Sequence, residues 1–600
     1  MKQLSTRIQI LTLALSALLL YANTLPNDYA FDDHIVTTSN KFVQKGLKGL
    51  PELVTKASWH GMDGRNSGLY RPLPMVTHAI EKALFGNNPF VGHLINILLY
   101  ALTAAILFLT LTQLYKNFKP GLYFPFIATL LFIAHPAHTE VVANIKSRDE
   151  ILALLNVLLS VLFLFKYLDF KAQRAVQTPK HLLPLSLAFF FFALVSKESA
   201  ITFVAVIPLM IYVFKEIKDW KFFIKVSAGY VALTLLYLGL RLILLEPLLG
   251  KGGVVNNALY GAHNISERWA TVSAIMTKYL TLLFFPTTLV CDYSYNQIPI
   301  TDWGPASIFG FIIFAGLLIF GVIKGRKKNV IAFWILYFFI TFSVTSNFFL
   351  LDGATMADRY LYAPSLGFCV LLAMLLIKLF QKSKISKMTV CVVTSFILLG
   401  YCYKTITRNP DWKNNLTLFS ADVEKSPKSC NLHHHLGVAL RKTSEENKNK
   451  IEKAKYLDSA IAEFKKAIEI LPEHVDAWFD LGVAYVLKGD YDSAIKCCWK
   501  SIKLYGEKNN YPDAYFWLGN SYLLKRDFGN AIKAYKISIA QEPESIEAHS
   551  NLANAYLQTG DIKTAVVHLQ AALSLDPGNQ ALLNNLQYVQ KALKNQDTPN

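Results

Sequence analysis

Residues 91–114, VGHLINILLYALTAAILFLTLTQL, decide the fold class of this chain. They include no Asp, Glu, Lys or Arg, and about 20 apolar residues are enough for a helix to cross a bilayer. Similar runs recur over the first two thirds of the 600 residues. We therefore predict an all-α, polytopic membrane bundle of about eleven helices. The predicted spans are residues 8–22, 91–114, 121–134, 150–167, 182–196, 200–214, 224–245, 306–323, 329–347, 363–380 and 388–404.

The net charge of +18 follows the topology of these spans. Lys and Arg are concentrated at the N-terminus and in alternate short loops, where twenty cations accompany three acids. Cytoplasmic loops of membrane proteins carry such an excess, so nucleic-acid binding is not needed to explain the charge. The other loops, and everything after residue 404, then share the outer side. The cation-rich loops are residues 116–119, 166–180, 215–225, 324–328 and 378–387.

Residues 269–285 form one more apolar stretch, between two predicted spans. A single crossing there would move Lys324 and Lys327 to the outer side and break the charge rule. We therefore predict an interfacial or re-entrant helix on the outer side.

The predicted outer loops share a polar, ionisable character. Ionisable groups near membrane depth are costly, and they are usually paired or functional. Lys197 beside Glu198, and Asp358 beside Arg359, also fit the simpler interpretation of structural ion pairs. Because all of these groups fall on one predicted side, we expect a polar chamber over the helix bundle. Its candidate members are Asp32, Asp33, His135, His138, Glu140, Arg148, Asp149, Glu150, Lys197, Glu198, Asp358 and Arg359.

Such a chamber suits the transfer of a sugar from a lipid-phosphate donor to a hydroxyl group. Arg148, Lys197 and Arg359 are of the types that bind phosphate, Arg as a planar fork and Lys as a point charge. A carboxylate can accept the proton of the attacking hydroxyl. Buried neighbouring acids raise each other's pKa, so Asp32 or Asp33 is the expected base.

Past residue 405 the composition changes and a repeat begins. Paired amphipathic helices with a period of about 34 residues are typical of tetratricopeptide repeats. We predict a transmembrane domain at residues 1–404, a linker at 405–430, and about four repeats plus a capping helix at 431–595. The repeats stack into an α-solenoid whose concave face binds protein. Ala460, Ala494, Ala531 and Ala565 mark the period, at spacings of 34, 37 and 34 residues.

The histidine and cysteine clusters of the repeats are predicted to have structural roles. We expect His433-His434-His435 on an ordinary helix surface, and Cys497-Cys498 in packing, because adjacent cysteines bridge each other poorly. The seven cysteines show neither metal-ligand spacing nor a disulfide framework. No metal site is predicted, a divalent-metal requirement stays open, and the only expected ligand is a lipid-phosphate sugar donor.

Several stretches resemble one known family. Their order, and the repeats that follow them, are similar to the transmembrane and tetratricopeptide-repeat-containing protein O-mannosyltransferases. That resemblance covers nearly the whole chain and implies a GT-C-like glycosyltransferase fold for the membrane domain. The matching stretches are Phe31-Asp32-Asp33, Tyr70-Arg71-Pro72-Leu73, HPAHTE at residues 135–140, SRDEIL at 147–152, SKESAIT at 196–202 and DRYLYAPSLGF at 358–368.

The resemblance implies that a polyprenyl- or dolichyl-phosphate mannose donates its sugar to Ser or Thr of exported proteins. It assigns the catalytic carboxylate to Asp32 or Asp33. The family's His-Pro-x-His-Thr-Glu loop corresponds to His135, His138 and Glu140, and we expect Glu140 to hold the acceptor. The remaining substrate contacts are expected from Arg71, Arg148, Lys197, Glu198, Asp358 and Arg359.

A non-catalytic alternative is a scaffold whose spans only anchor an external repeat domain. A transporter is disfavoured, because mid-helix charges are few. We expect an integral membrane protein with extracytoplasmic repeats that dock exported acceptor proteins. The short array favours a bacterial inner membrane. In an endoplasmic reticulum, the alternative, Asn264-Ile265-Ser266 and Asn415-Leu416-Thr417 would be glycosylation acceptors.

Overall fold

The computed structural model of this protein describes residues 5–63, 68–118, 123–172, 179–245, 253–382, 387–506 and 509–597. Every regular element in these ranges is helical, so the predicted all-α class is confirmed. The α-helices of the membrane region and the segment after it are α1 Thr6–Tyr21, α2 Asp33–Val36, α3 Lys41–Gln44, α4 Leu50–Thr55, α5 His60–Asp63, α6 Pro72–Phe85, α7 Pro89–Leu114, α8 Phe124–Ala134, α9 Thr139–Ala143, α10 Arg148–Ala172, α11 Leu182–Leu194, α12 Phe203–Phe214, α13 Trp220–Leu244, α14 Ile265–Phe284, α15 Pro305–Gly325, α16 Val330–Phe342, α17 Tyr362–Lys382, α18 Lys387–Arg408 and α19 Asn415–Val423.

The remaining α-helices form pairs, and short 3-10 helices connect several elements of the membrane region. The paired helices and the last helix are α20 Cys430–Glu446, α21 Lys450–Ile470, α22 Val475–Lys488, α23 Tyr491–Tyr505, α24 Pro512–Leu524, α25 Phe528–Gln541, α26 Ile546–Gln558, α27 Ile562–Leu575 and α28 Gln580–Asp597. The 3-10 helices are Ala22–Thr24, Gly46–Gly49, Pro136–His138, Ile145–Ser147, Glu198–Thr202, Ala258–Gly261, Asp358–Leu361 and Asn409–Lys413.

The chain divides into two compact units, Met1–Ser426 and Pro427–Asn600. Most of the stretch that the sequence predicts as a linker is helical in the structure. Helix α18 continues to Arg408, and α19 follows a 3-10 turn. The first unit therefore includes α19, beyond the last predicted span.

Seven helices of the described chain are long and apolar enough to cross a membrane. The helices Phe124–Ala134 and Pro136–Ala143 form a bent pair, and the number of candidate spans is eight if this pair counts as one span. The bend between them is 56°, at the point where Pro136 interrupts the helical hydrogen bonds. The other three predicted spans fall on shorter apolar helices, α11, α12 and α16. Lys2, Lys119, Arg174 and Lys384, which belong to the predicted cytoplasmic set, lie outside the described residues.

The core of the first unit forms around α10, the most enclosed of the candidate spans. Helices α7 and α11 pack against α10, and α1 packs against α7. The first turn of α10 carries Arg148, Asp149 and Glu150, and all three are buried. The helix that fills the apolar core therefore also brings three charged groups to one end of the bundle.

Helix α14 covers the stretch that the sequence predicts to be interfacial or re-entrant. Its first turn lies beside the residues that precede α15, where Trp303 Nε1 donates to Ser266 Oγ at 3.0 Å. Its last turn enters the bundle, where the carbonyl oxygen of Leu283 accepts from the Tyr401 hydroxyl at 2.9 Å. The chain then returns without helix to the start of α15. The predicted stretch is thus a helix followed by a non-helical return, and its interfacial or re-entrant placement stays a prediction.

The second unit consists of four helix pairs, α20–α21 to α26–α27, followed by α28. Glycine is required where paired helices touch: a Cβ on Gly437 would lie 2.6 Å from the Phe464 ring, and one on Gly519 would lie 2.6 Å from the Tyr535 ring. These contacts explain why glycine follows Leu436 and Leu518 in the first helix of two repeats. Cys498 is fully buried, in agreement with a packing role.

His433 and His434 do not lie on an ordinary helix surface, so that prediction is wrong. Both are buried. His433 Nδ1 lies 2.5 Å from Glu463 Oε2, and His434 Nε2 lies 2.9 Å from Asp480 Oδ2. The acidic partners come from neighbouring helices α21 and α22, which the spacing of the histidines alone does not reveal.

Candidate active site

The turn that contains Asp32 and Asp33 gives the two acids different environments. Asp33 is fully buried. Its Oδ2 accepts from the Ala30 N–H at 3.0 Å, and its Oδ1 accepts from the Lys146 N–H at 2.8 Å. The side chain of Asp32 is 23% exposed, and its Oδ2 lies 3.9 Å from Lys146 Nζ. Asp33 is therefore a buried acceptor of backbone hydrogen bonds, and Asp32 is the acid with access to solvent.

The burial of Asp33 has an electrostatic consequence. Burial raises the pKa of Asp33 to about 7; the N–H groups of Ala30 and Lys146 oppose this rise, and the charge of Asp32 adds to it. A carboxyl group with this pKa holds a proton through most of the acidic range. Both of its oxygens already accept hydrogen bonds, so Asp33 is poorly placed to receive a substrate hydroxyl.

Arg71 joins three segments of the first unit. Its Nη1 donates to Asp149 Oδ2 at 2.6 Å, its Nε donates to Glu198 Oε2 at 2.8 Å, and its Nη2 also pairs with Glu198. Burial lowers the pKa of Arg71, but the two carboxylates outweigh this effect and raise it well above the usual range. The planar fork of Arg71 thus holds the loop before α6, the start of α10 and the turn before α12 together.

Sequence neighbours of opposite charge are not the partners that the structure pairs. Lys197 Nζ donates to Glu150 Oε1 at 2.6 Å and lies 3.8 Å from Asp149 Oδ1. Its neighbour Glu198 binds Arg71 instead. The cation and the acid of this short turn therefore bind two different elements, and the turn is fixed between them.

Glu140 and Arg359 form a second link between loops. Arg359 Nη1 lies 2.5 Å from Glu140 Oε1, and the backbone N–H of Arg359 donates to Glu140 Oε2 at 3.1 Å. Asp358, the neighbour of Arg359, is buried and accepts from the Val290 N–H at 2.9 Å and from the Tyr293 hydroxyl at 3.0 Å. Glu140 therefore positions Arg359, while Asp358 holds the loop that follows α14.

His135 and His138 hold the turn that carries Glu140 from the buried side. His135 Nε2 lies 3.1 Å from the Leu283 carbonyl oxygen. His138 lies between the Tyr100 hydroxyl, 2.9 Å from Nδ1, and the Ser365 hydroxyl, 2.8 Å from Nε2. Both rings are fully buried, so their contacts here are with the bundle and not with an open cavity.

Arg148 is enclosed in the bundle with a partner that the sequence analysis missed. Its Nη2 lies 2.8 Å from Glu81 Oε2, and its Nε donates to Asn96 Oδ1 at 2.8 Å. The Arg148 side chain has no exposed surface. The geometry therefore gives Arg148 a structural ion pair and offers no support for the predicted phosphate contact.

Lys146 is the site residue that sequence reasoning did not single out. It belongs to the 3-10 helix before α10, and its side chain retains 9% exposure. It contacts both acids of the first loop, which is the segment between α1 and α6: Asp32 through Nζ and Asp33 through its backbone N–H. The available signal was a lysine next to a predicted span on the predicted outer side.

The structure thus brings most of the predicted site residues to one end of the first unit. We use the term polar chamber for the partly exposed and buried charged groups found there. Burial lowers the pKa of Arg359, and the nearby acids, Glu140 above all and Asp32 to a smaller extent, raise it well above its usual range. An acid, several cations and solvent access are therefore present at one place. The polar chamber comprises Asp32, Arg71, Glu140, Lys146, Asp149, Glu150, Lys197, Glu198 and Arg359.

The repeats and the full chain both have matches among known proteins. Tetratricopeptide repeat family models match residues 475–507 and 522–587. Among solved structures, MamA is 24% identical with a TM-score of 0.23, covering 27% of this chain and 81% of that chain. YrrB, described as a TPR protein with an unusual peptide-binding site, is 18% identical with a TM-score of 0.25, covering 30% of this chain and 85% of that chain.

Curated relatives match the membrane region together with the repeats. The protein O-mannosyl-transferase TMTC3 of Mus musculus is 28% identical over 500 residues, which are 78% of this chain and 51% of the relative. TMTC1 of Homo sapiens is 27% identical over 522 residues, 78% of this chain and 56% of the relative. The Caenorhabditis elegans protein O-mannosyl-transferase F38B6.6 is 25% identical over 431 residues, 70% of this chain and 58% of the relative.

The chain spans about half the length of the first of these curated relatives. The resemblance that the motifs predict is confirmed: this chain is similar in sequence to the transmembrane and tetratricopeptide-repeat protein O-mannosyl-transferases.

Proposed function

We propose that this protein is a membrane glycosyltransferase that moves mannose from a polyprenyl- or dolichyl-phosphate carrier to Ser or Thr hydroxyls of exported proteins. The observation that carries the proposal is the proximity of Asp32 to Lys146, 3.9 Å from Oδ2 to Nζ, within the polar chamber that also contains Arg359. The names of the curated relatives support the type of reaction.

Asp32 is the proposed general base. It accepts the proton of the acceptor hydroxyl while the hydroxyl oxygen attacks the anomeric carbon of the sugar. The bond from that carbon to the phosphate oxygen breaks, and the electron pair leaves with the lipid phosphate. A single displacement of this kind inverts the configuration at the anomeric carbon. The exposure of Asp32, compared with the burial of Asp33, favours Asp32 for this role.

Lys146 and Arg359 are the proposed partners of the leaving phosphate. Positive charge placed where a phosphate develops negative charge stabilises the transition state. Arg359 keeps 18% of its side chain exposed, although Glu140 binds one edge of its guanidinium group. Arg71 and Lys197 are more fully engaged with carboxylates and act by holding the loops in place. His135, His138 and Asp358 support the same loops.

An apolar cavity of about 260 Å³ among α14, α15, α16 and α17 suits the isoprenoid tail of the donor. The nearest α17 residue of this cavity, Phe368, lies nine positions after Arg359, or roughly 13 Å along a helix. A donor whose phosphate meets Arg359 can therefore place its tail along α17. The cavity is lined by Leu280, Leu283, Phe284, Phe314, Leu317, Ile335, Phe338, Phe339, Phe368, Leu371, Leu372 and Leu375.

Sugar transfer with variants of the paired acids tests the reaction. The full chain is purified in detergent and given a mannosyl lipid phosphate and a Ser/Thr-containing peptide. We expect Asp32→Asn to lower the turnover number by roughly 100-fold or more while the thermal midpoint stays near that of the native chain. Undiminished transfer by both Asp32→Asn and Asp33→Asn would contradict the proposed chemistry and favour an anchored scaffold.

Donors of two tail lengths test the apolar cavity. We expect Leu371→Trp, which fills the cavity, to raise the KM of a long-tailed donor and to leave the KM of a short-tailed analogue unchanged. Leu379→Trp is the matched control, because Leu379 lies on the same helix outside the cavity and is partly exposed. An equal effect of the two variants on both donors would remove the cavity from the donor site.

The repeats are proposed to dock the acceptor protein on an extracytoplasmic surface. Stacked repeats form concave surfaces that bind extended chains, which supports this role. The bacterial inner membrane is the proposed compartment, with the endoplasmic reticulum as the alternative. Accessibility labelling of single cysteines at residues 32 and 359 in intact cells tests the sidedness: both must react from outside the cytoplasm.

A further inference from the structure

The residue directly before Asp32 has an unusual backbone conformation. Phe31 has a φ of +55°, in the left-handed region. Residues with a Cβ rarely adopt this region, and a bulky side chain there needs surrounding structure to hold it. The direction in which the Asp32 side chain leaves the turn depends on this backbone angle. Whatever holds Phe31 therefore also sets the position of Asp32.

Two contacts that hold Phe31 come from α19, at the far end of the first unit's sequence. The Phe31 N–H donates to Asn415 Oδ1 at 2.6 Å. The Phe31 ring meets the Phe419 ring edge to face, with ring centroids 5.9 Å apart. Asn415 and Phe419 are one helical turn apart, so one face of α19 binds both the backbone and the side chain of Phe31.

Helix α19 is itself fixed within the first unit. Its N-terminus has a capping box between Asn414 and Thr417. Near its C-terminus, Asp422 pairs with Arg408 at 2.5 Å and accepts from the Cys291 N–H at 2.8 Å. These contacts anchor α19 independently of Phe31, so α19 is a rigid support for the turn.

We propose that Asn415 is a positioning residue for sugar transfer, because it holds Phe31 in the left-handed conformation and thereby directs Asp32 toward Lys146. This inference rests on the proposed function and extends it to a residue outside the motifs of the outer loops. Asn415 does not touch the reacting atoms. Its effect reaches them through the backbone of the first loop.

Removal of the Asn415 side-chain oxygen, which accepts the hydrogen bond from the Phe31 N–H, tests the inference in the full chain. We expect Asn415→Ala to lower the turnover number by about 100-fold with little change in the donor KM, because a small misplacement of the base is enough to slow the reaction. Asn415→Asp retains an oxygen at this position and is expected to restore most of the activity. Thr417→Ala is the matched control, because it removes the hydroxyl that accepts from the Asn414 N–H in the cap of α19 and leaves the Phe31 contact in place.

A double substitution separates positioning from a general structural role. Glycine adopts a positive φ without steric cost. In Phe31→Gly the backbone therefore no longer needs the Asn415 contact to keep φ positive at this position. We expect Asn415→Ala to cost less than about threefold in turnover in the Phe31→Gly background, far less than in the native chain. Equal losses in the two backgrounds would show that Asn415 acts by another route and would overturn the inference.

Hydrogen exchange gives a readout that does not depend on activity. We expect Asn415→Ala, but not Asn415→Asp, to speed amide exchange in the peptide that contains Phe31. Unchanged exchange, or transfer by Asn415→Ala at the native rate, would overturn the positioning role while leaving the proposed function intact. Absence of transfer by the native chain with any mannosyl lipid phosphate would instead refute the proposed function itself.

Discussion

Lys146 binds both acids of the first loop: its Nζ lies 3.9 Å from Asp32 Oδ2, and its backbone N–H donates to Asp33 Oδ1 at 2.8 Å. One residue at the start of the most enclosed helix thus joins the solvent-accessible acid to the buried one. The backbone contact fixes the turn, and the side chain supplies a positive charge next to the exposed carboxylate. These two contributions can be separated experimentally.

Replacement of the Lys146 side chain removes the charge and keeps the backbone contact. We expect Lys146→Met to lower sugar transfer by roughly 100-fold, because a cation at a developing phosphate charge contributes this much or more. The midpoint of thermal unfolding should stay near the native value. Lys45→Met is the control, since Lys45 lies between α1 and α6, as Asp32 does, and its side chain is about half exposed. Native-like transfer by Lys146→Met would exclude the side chain from the reaction.

The raised pKa of Asp33 leads us to expect that the stability of the protein falls as pH rises. Its pKa is about 7 in the folded state and 3.8 ordinarily, so the folded state holds the proton more tightly between these values. The contribution of this group to the free energy of unfolding is therefore full below the ordinary pKa and is lost as pH rises through about 7. We expect the thermal midpoint of the native chain to decrease over this range and that of Asp33→Asn to decrease less. Parallel curves would contradict the assignment.

Arg148 is expected to control stability and not phosphate binding. Arg148→Met leaves the Glu81 carboxylate buried without its cation, and breaking a buried ion pair in this way costs about 3–5 kcal/mol. The double variant Arg148→Met with Glu81→Leu removes both charges and should recover most of that loss. The measurement is thermal unfolding in detergent, together with the donor KM of the double variant. A stable double variant with a strongly raised donor KM would restore Arg148 as a substrate contact.

The sequence was informative where the signal is local. Long apolar runs identify α7, α10 and α15 as candidate spans, and the regular spacing of small residues identifies the repeats. The apolar stretch at residues 269–285 is also helical, as predicted, while its placement relative to the membrane stays a prediction. In each case the pattern lies within one helix or between adjacent helices.

The sequence was much less informative about which residues form ion pairs and hydrogen bonds with one another. Arg148 has the residue type of a phosphate contact, and only its burial against Glu81, 67 positions earlier, assigns it to the core. The paired acids looked equivalent, and only the backbone donors around Asp33 distinguish them. The hold on Phe31 comes from 384 residues away. Contacts across such separations depend on the packing of the bundle, and no local spacing records them.

Two glycines of α15, the helix that packs against α14, allow a matched pair of substitutions. A Cβ added to Gly310 would lie 2.1 Å from the Ser273 carbonyl oxygen, which is far inside the contact distance of backbone atoms. A Cβ added to Gly316 meets nothing within 4 Å. Gly310→Ala must therefore push α14 away from α15, while Gly316→Ala leaves this contact unchanged.

The two variants predict different effects on the apolar cavity. The last turn of α14 and the middle of α15 form one wall of that cavity, so displacement of α14 changes its shape. We expect Gly310→Ala to lower the thermal midpoint and to raise the KM of a long-tailed donor, with a smaller effect on a short-tailed analogue. Gly316→Ala should match the native chain in both measurements, or be slightly more stable, because alanine is favoured over glycine within a helix. If Gly310→Ala lowers the thermal midpoint and yet leaves the preference for long-tailed donors intact, α14 supports the fold but does not shape the donor site.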